Sequence, residues 1–355
     1  MKRESGGPLA SKKNLLLINY ATDERNQVFA HQIEVIRKFS KVFRKVYVIT
    51  GSSGHISLPE NVMVIESKWT QGKRFTNSIR FIVKFLRVYS LDRNIVVFSH
   101  MTEVQSALIS PLTRIFRIKH IVWYAHASRS VAMSINKFLL DGIATSTSGS
   151  CPYTGKKVSI IGQAIDDEVF KEFERDFNPP YKFVHVGRTD PSKKIEVLIQ
   201  AVENLNLKGF DSSLTIVGGP SNPSFNSYAN TLHSMREGLS DSSSLLFCKP
   251  IERRLLPNFL ISYDYFIHAF QGSLDKSLVE ATMCGMPVLT LNQEYRNIFG
   301  QWDKFADSSL EEEFLALNAL SKEKIKSEIS RRREIAVSQH SLSRWVKKIS
   351  ELLVD

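Results

Sequence analysis

Short, continuously apolar runs alternate along this chain with longer segments whose apolar residues recur every three to four positions. Residues 14–19 (NLLLIN), 45–51 (KVYVITG) and 62–67 (VMVIES) have the density of strands buried on both faces. The same type returns at 95–100 (IVVFSH), 120–126 (HIVWYAH), 142–147 (GIATST) and 157–162 (KVSIIG). Residues 28–44 carry the period of an amphipathic helix, and 73–91 form a second, basic one with Phe75, Ile79, Ile82 and Leu86 on one stripe. A charged segment with two prolines, 171–181 (KEFERDFNPPY), breaks the pattern, which then restarts. Strands are predicted at 182–187, 213–218, 244–248 and 265–270, with helices at 194–206, 225–239 and 253–260. The final helix, 341–354, follows a basic run at Arg331–Arg333.

Buried strands separated by helices predict an α/β protein with parallel, doubly wound sheets. A pattern that breaks and restarts in a chain of 355 residues predicts two of them. The expectation is two Rossmann-like domains facing across a cleft, residues 1–170 and 177–340, with helix 341–354 packing back on the first. Ligands of such sheets sit beyond the carboxyl ends of the strands.

Composition narrows the class. No apolar run approaches the roughly 18–20 residues of a membrane-spanning helix, and the opening MKRESGGPLASKK has no apolar core for a signal peptide. Cys151, Cys248 and Cys284 have neither disulfide-framework nor zinc spacing, which points to a reducing cytoplasm. The net charge of +11 lies wholly in the first half, where 26 Lys and Arg face 15 Asp and Glu in residues 1–176; the rest balances at 21 and 21. A basic half suits an anionic surface or substrate. A neutral second half without aromatic–basic motifs argues against nucleic acid.

Three stretches carry candidate chemistry. In FVHVGRTDPSKKIEVLIQA (183–201) a strand runs into Gly187 and Arg188, and Lys193 stands at the next helix start, an arrangement that suits a diphosphate. LTIVGGP (214–220) ends a strand in Gly218-Gly219, where backbone can approach a ligand closely. In GSLDKSLVEATMCGMPVLT (272–290) the turn Ser273, Leu274, Asp275, Lys276 opens a helix whose first amides and dipole favour an anion. Glu280, one turn in, can accept two hydroxyls of a ribose, and its neighbours Leu278, Val279, Ala281 and Met283 predict that it is buried.

Together with LLFCKPIERRLLPNFLISYDYFIHA (245–269) and VWYAHASRS…DGIATSTSGS…KVSIIGQAID in the first half, these stretches resemble the GT-B-fold retaining glycosyltransferases of family 4. The resemblance spans residues 14–354. It implies a sugar transferase with a nucleotide-diphosphate sugar as donor, no metal or other cofactor, and a saccharide acceptor, often lipid-linked, of cell-surface polysaccharides such as lipopolysaccharide. Such an enzyme would be cytoplasmic and peripheral on an anionic membrane surface. Residue by residue, the resemblance places Arg188 and Lys193 on the diphosphate, Glu280 on the ribose, backbone around Ile251 at the base, and His126 against the donor sugar. His100 is a weaker acceptor-side candidate.

Two positions depart from the family. Its E-x7-E pattern expects a Glu where this chain has Gly272, which implies that Asp275, Lys276 and free amides take over the sugar contact. The loop YATDERNQVFAHQ (20–32) lacks the family's paired glycines. Two other classes stay open: a sugar-nucleotide epimerase of the same fold and, because of Gly272, a non-catalytic nucleotide-sugar-binding partner subunit.

Overall fold

A computed structural model describes residues 13–26, 29–70 and 72–355. The expected polar tail at 1–12 and the first residue of the predicted helix 28–44 lie outside the described residues.

The chain forms two compact units, 1–164 with 342–355, and 165–341. In the first, the elements run β1 (Asn14–Thr22), α1 (His31–Ser40), β2 (Val46–Ser53), β3 (Val62–Glu66), α2 (Arg74–Leu91), β4 (Ile95–His100), α3 (Glu103–Ile115), β5 (His120–Trp123), α4 (Val131–Asn136), β6 (Gly142–Thr145) and β7 (Val158–Ile160). In the second they run β8 (Tyr181–Val186), α5 (Ile195–Leu207), β9 (Ser212–Val217), α6 (Asn226–Glu237), β10 (Leu245–Cys248), α7 (Leu256–Leu260), β11 (Tyr265–His268), α8 (Lys276–Met283), β12 (Val288–Thr290), α9 (Gln293–Phe299), α10 (Leu310–Asn318) and α11 (Lys322–His340). The chain then returns to the first unit with α12 (Leu342–Val354).

The sheets are parallel, in the orders β3-β2-β1-β4-β5-β6-β7 and β10-β9-β8-β11-β12. Apolar side chains fill both faces of each, as continuous apolar strands require. On the first sheet, α1 and α12 cover one face with Phe39, Trp345 and Ile349, joined by Phe43 just past α1. Helices α2 and α3 cover the other with Phe81, Phe85, Val88 and Ile109. Tryptophan and aliphatic burial of this size, about 1.5–3 kcal/mol per side chain, is what holds α12 to the sheet.

In both sheets the strand order reverses beside the first strand, between β1 and β4 and between β8 and β11. Crossovers leave to opposite faces there, so the carboxyl edge opens a crevice for ligands. The second reversal lies where the 187–194 and 269–276 loops emerge.

The basic run Arg331–Arg333 lies inside α11, ahead of the separate final helix, and Arg332 is buried against the Trp302 ring, 4.0 Å away. One expectation needs correction. On α2 the predicted stripe faces solvent: Phe75 is 78% exposed, Ile79 49% and Leu86 38%, while Asn77, Phe81, Phe85 and Val88 face the sheet. A polar residue occupies the inner face because Asn77 exchanges hydrogen bonds with the Thr70 backbone, at 2.6 and 3.2 Å.

Candidate donor-binding site

Strand β8 ends at Val186 and the chain turns at Gly187. The amide of Gly187 donates to Val217 O, that of Gly218 to Cys248 O and that of Thr189 to Gly219 O, each at 3.0 Å. A Cβ on Gly218 would lie 1.8 Å from the carbonyl oxygen of Gly187, and the backbone there has φ +145°, so only glycine fits. The two loops are further tied by Asp190, which is buried and accepts from the amide and hydroxyl of Ser221, both at 2.8 Å. Asp190 also orients Arg188, whose Nη1 lies 3.2 Å from Oδ2 while the side chain stays 56% exposed. Arg188 is a held but accessible cation.

Lys193 differs. Its side chain is not in solvent but 5% exposed, ion-paired with Asp275 and lying 3.8 Å above the Phe270 ring. The carboxylate of Asp275 also accepts from His268 Nε2 at 3.0 Å. Burial works to raise the Asp275 pKa, but the His268 hydrogen bond and the Lys193 charge prevail and hold it below the usual carboxylate range. His268 is itself lowered by burial, against the pull of Asp275. Beside it, His185 donates from Nδ1 to Ile267 O at 3.0 Å, and burial pushes its pKa down to about 3, so it is neutral.

Asp275 thus holds Lys193 and makes no side-chain cap hydrogen bond to α8. The turn before it is fixed from behind by buried Asn292, whose Nδ2 donates to the carbonyls of Phe270, Gly272 and Ser273 at 2.9, 3.2 and 3.2 Å. Leu274 anchors the turn in the core. At Gly272, where the family resemblance expects a Glu, a Cβ would lie 2.3 Å from the Phe270 ring. The ring that lies beneath Lys193 therefore fills the direction a side chain at 272 would take.

Glu280 is buried as expected, 4% exposed, and it is paired: Arg253, from the segment between β10 and α7, forms an ion pair with it. Arg253 in turn lies 5.3 Å from the Phe170 ring. Lys276 points inward beside this pair, and its Nζ is sealed from solvent without a hydrogen-bond partner. Burial, with the Arg253 charge adding and Glu280 opposing, pushes its pKa down to about 7. Ile251 is half-buried against the same core.

In the first domain, His126 follows β5, is exposed, and packs edge-on against Tyr124 with ring centroids 5.4 Å apart. His100 ends β4 buried among Phe98, Trp123 and Trp345. Among the described residues no group of three or more His, Cys, Asp or Glu is placed to hold a metal ion, and no helix is long and apolar enough to cross a membrane.

The structure therefore brings Lys193 to Asp275, and Lys276 to Glu280, as one loop cluster around the β8–β11 reversal. Sequence reading missed Asp190, Arg253, His268, Phe270 and Asn292. For His268 a signal existed, a histidine closing an otherwise apolar strand; Arg253 lay unremarked within IERRLLPNF.

Residues 180–307 match the family described as glycosyl transferases group 1. A search of curated protein sequences returns no match. Among solved structures, Anabaena Alr3699/HepE in complex with UDP-glucose superposes with a TM-score of 0.72 at 14% identity, over 96% of this chain and 99% of that one. A glycosyltransferase from Rickettsia africae ESF-5 gives 0.73 at 13% identity, over 96% and 98%. WaaG, a glycosyltransferase involved in lipopolysaccharide biosynthesis, gives 0.65 at 14% identity, over 96% and 99%. At these identities the likeness is one of fold, and it extends over nearly the whole chain. The second domain thus carries a match to the glycosyl transferases group 1 family, and the chain shares the fold of these solved structures over nearly its whole length.

Proposed function

We propose that the protein is a retaining glycosyltransferase that moves a sugar from a nucleotide-diphosphate sugar to a saccharide acceptor, lipid-linked, in cell-surface polysaccharide synthesis. The observation that carries the donor half is the cluster at the β8–β11 reversal: Arg188 and Lys193 with the uncapped start of α8, and Glu280 one turn further in. A diphosphate suits the cations and amides, and a ribose diol suits the carboxylate. The departing nucleoside diphosphate would hand its charge to Arg188, Lys193 and those amides. Lys193 then exchanges part of its pairing with Asp275 for phosphate oxygens, so Asp275 acts on the lysine as well as on the sugar. Backbone around Ile251 and at Gly218 would meet the nucleoside. From the first domain we assign His126 to the transferred sugar, on the family resemblance and its exposed place after β5.

The lipid-linked acceptor would bring the protein to an anionic membrane surface from the cytoplasmic side. Supporting this is α2, where exposed Phe75, Ile79, Val83 and Leu86 form an unpartnered apolar stripe flanked by Lys73, Arg74 and Arg87. Phe81, Phe85 and Val88 lie in the core and add nothing to this surface. Helix α1 offers no such surface, because its apolar face is buried and Arg37 is bound to Glu24 and Glu34.

A thermal-shift panel of UDP, GDP, ADP and dTDP sugars tests the donor, since a ligand of the folded state raises the melting temperature by mass action. UDP-glucose heads the panel because it occupies the HepE structure. With the donor so found, Glu280→Gln should lower donor affinity and turnover together, by about 10-fold or more. Wild-type kinetics in that variant, or no shift with any donor, would remove the reading. Conversion of the donor without any acceptor would favour the epimerase.

A further inference from the structure

The charges on the buried side of α8 do not balance. Lys276 and Glu280 stand four residues apart on one helix face, and Arg253 closes on Glu280 from the β10–α7 segment. Two cations share one carboxylate. Arg253 takes it, and the Lys276 ammonium is left sealed from solvent with no acceptor. Holding a buried charge without a partner is costly, and a methionine would fill the same space without that cost. The lysine is in the wrong place for packing and the right one for an anion.

We infer that Lys276 binds the donor through its side chain, its ammonium taking an oxygen of the phosphate nearest the ribose. The inference rests on the assignment of Glu280 to the ribose. From Glu280 toward the helix start, one turn rises about 5.4 Å, the span of one sugar ring, and brings Lys276 to where the first phosphate of a nucleotide would follow its ribose. Arg188 and Lys193, on the other loop, are then left for the distal phosphate. Lys276 thus separates from the backbone amides of its own turn, and the two phosphates are read by different cations.

A second consequence concerns protons. Lys276 in the free protein has a pKa near 7, lowered by burial and by Arg253 and opposed by Glu280, the two charged groups that act on it. A phosphate beside it stabilises the ammonium, so at pH 8 the amine takes a proton from solvent as the nucleotide binds. At pH 6 the amine is already charged and uptake falls away.

Calorimetry on the full protein tests this, with the nucleoside mono- and diphosphate of the base chosen by the donor panel. Titrations run at pH 6 and 8, each in two buffers of different ionisation enthalpy. Wild type should take up close to one proton at pH 8 and much less at pH 6. Lys276→Met should lose that uptake and bind mono- and diphosphate about 10- to 100-fold more weakly, by a similar factor for both. Arg188→Ala should instead weaken the diphosphate and leave the monophosphate near wild type. Unchanged affinity and uptake in Lys276→Met overturn the inference while the donor reading stands. Should Lys276→Met fail to fold, equal wild-type heats in both buffers at pH 8 overturn it alone. Failure of wild type to bind any nucleotide removes the donor reading itself.

Discussion

The two sheets share a strand order around their reversals, and they share a construction: the strand after the first carries a glycine pressed against the first strand's end. A Cβ on Gly51 would lie 2.6 Å from Tyr20 O in the first domain, and one on Gly218 would lie 1.8 Å from Gly187 O in the second. What stands on these equivalent edges differs. The ends of β1, β4 and β6 offer Asn19 and Thr22, which bond each other at 3.1 Å, buried His100, and the hydroxyls of Thr147 and Ser150. The ends of β8 and β11 offer interlocked ions: Arg188 on Asp190, Lys193 on Asp275 and His268, and Arg253 on Glu280. The basic domain offers mostly neutral groups at these three strand ends, with Glu24 held by Arg37 just beyond β1, and the net acidic domain offers an interlocked ionic cluster. Net charge therefore says little about where a site lies. Pairing lets a domain concentrate cations at one edge while its net charge is −5, with 20 Lys and Arg against 25 Asp and Glu in residues 165–341, and the surplus of the first domain is free to sit on a helix such as α2.

The largest effect expected from breaking this comparison is at the glycine of the charged edge. Gly218→Ala forces a contact that cannot relax without moving the Gly187–Arg188 turn, and a left-handed φ besides. A loss of about 3 kcal/mol or more is expected in denaturant unfolding. An alanine accepted there with unchanged stability would mean that the two loops are not locked together.

Removing the charge at the centre of the network should cost slightly less. Asp275→Asn leaves Lys193 buried without its partner, for about 3 kcal/mol at neutral pH. The sign with pH follows from the lowered pKa of Asp275 in the folded state. Its contribution is fully present above the unfolded value of about 4 and is lost as pH falls toward the folded one. Melting curves of wild type and Asp275→Asn should therefore converge below about pH 4. A gap independent of pH would deny the ion pair its part.

The alternation of strands and helices was legible because parallel strands buried on both faces are continuous apolar runs, as in NLLLIN and IVVFSH. So was Glu280 as a buried carboxylate, from its neighbours on α8. Its partner was not. Arg253 meets Glu280 from another loop, and Lys193 and Asp275 are 82 residues apart. Such pairs form only when the crossovers bring two loops to one sheet edge, and no local period encodes them. Helix α2 misled for the opposite reason. Its strongest apolar stripe is local and real, but the fold buries the face that carries Asn77. The ring of Phe270 in the space beside Gly272 was likewise unreadable from a sequence that shows only a missing Glu.

The smallest expected effect on the fold, and the one that separates the basic domain's role from the charged edge, is on α2. Phe75→Ser with Val83→Ser changes exposed positions, 78% and 55% accessible, so stability should move by no more than about 0.5 kcal/mol per site. Flotation with anionic vesicles at low salt should fall, while nucleotide affinity stays unchanged. Equal recovery of wild type on neutral and anionic vesicles would take the membrane surface away and leave the donor site untouched.

The central claim is that the edge at the β8–β11 reversal is assembled for a nucleotide-diphosphate sugar before it arrives. A crystal structure of the protein with the donor identified by the thermal-shift panel tests it most directly. The account predicts ribose hydroxyls on Glu280, the first phosphate on Lys276, the distal phosphate on Arg188 and Lys193, and the Asp190, Asn292 and Gly218 contacts as they are without ligand. A nucleotide bound away from Arg188 and Glu280, or a site that forms only by rearranging these loops, would contradict it.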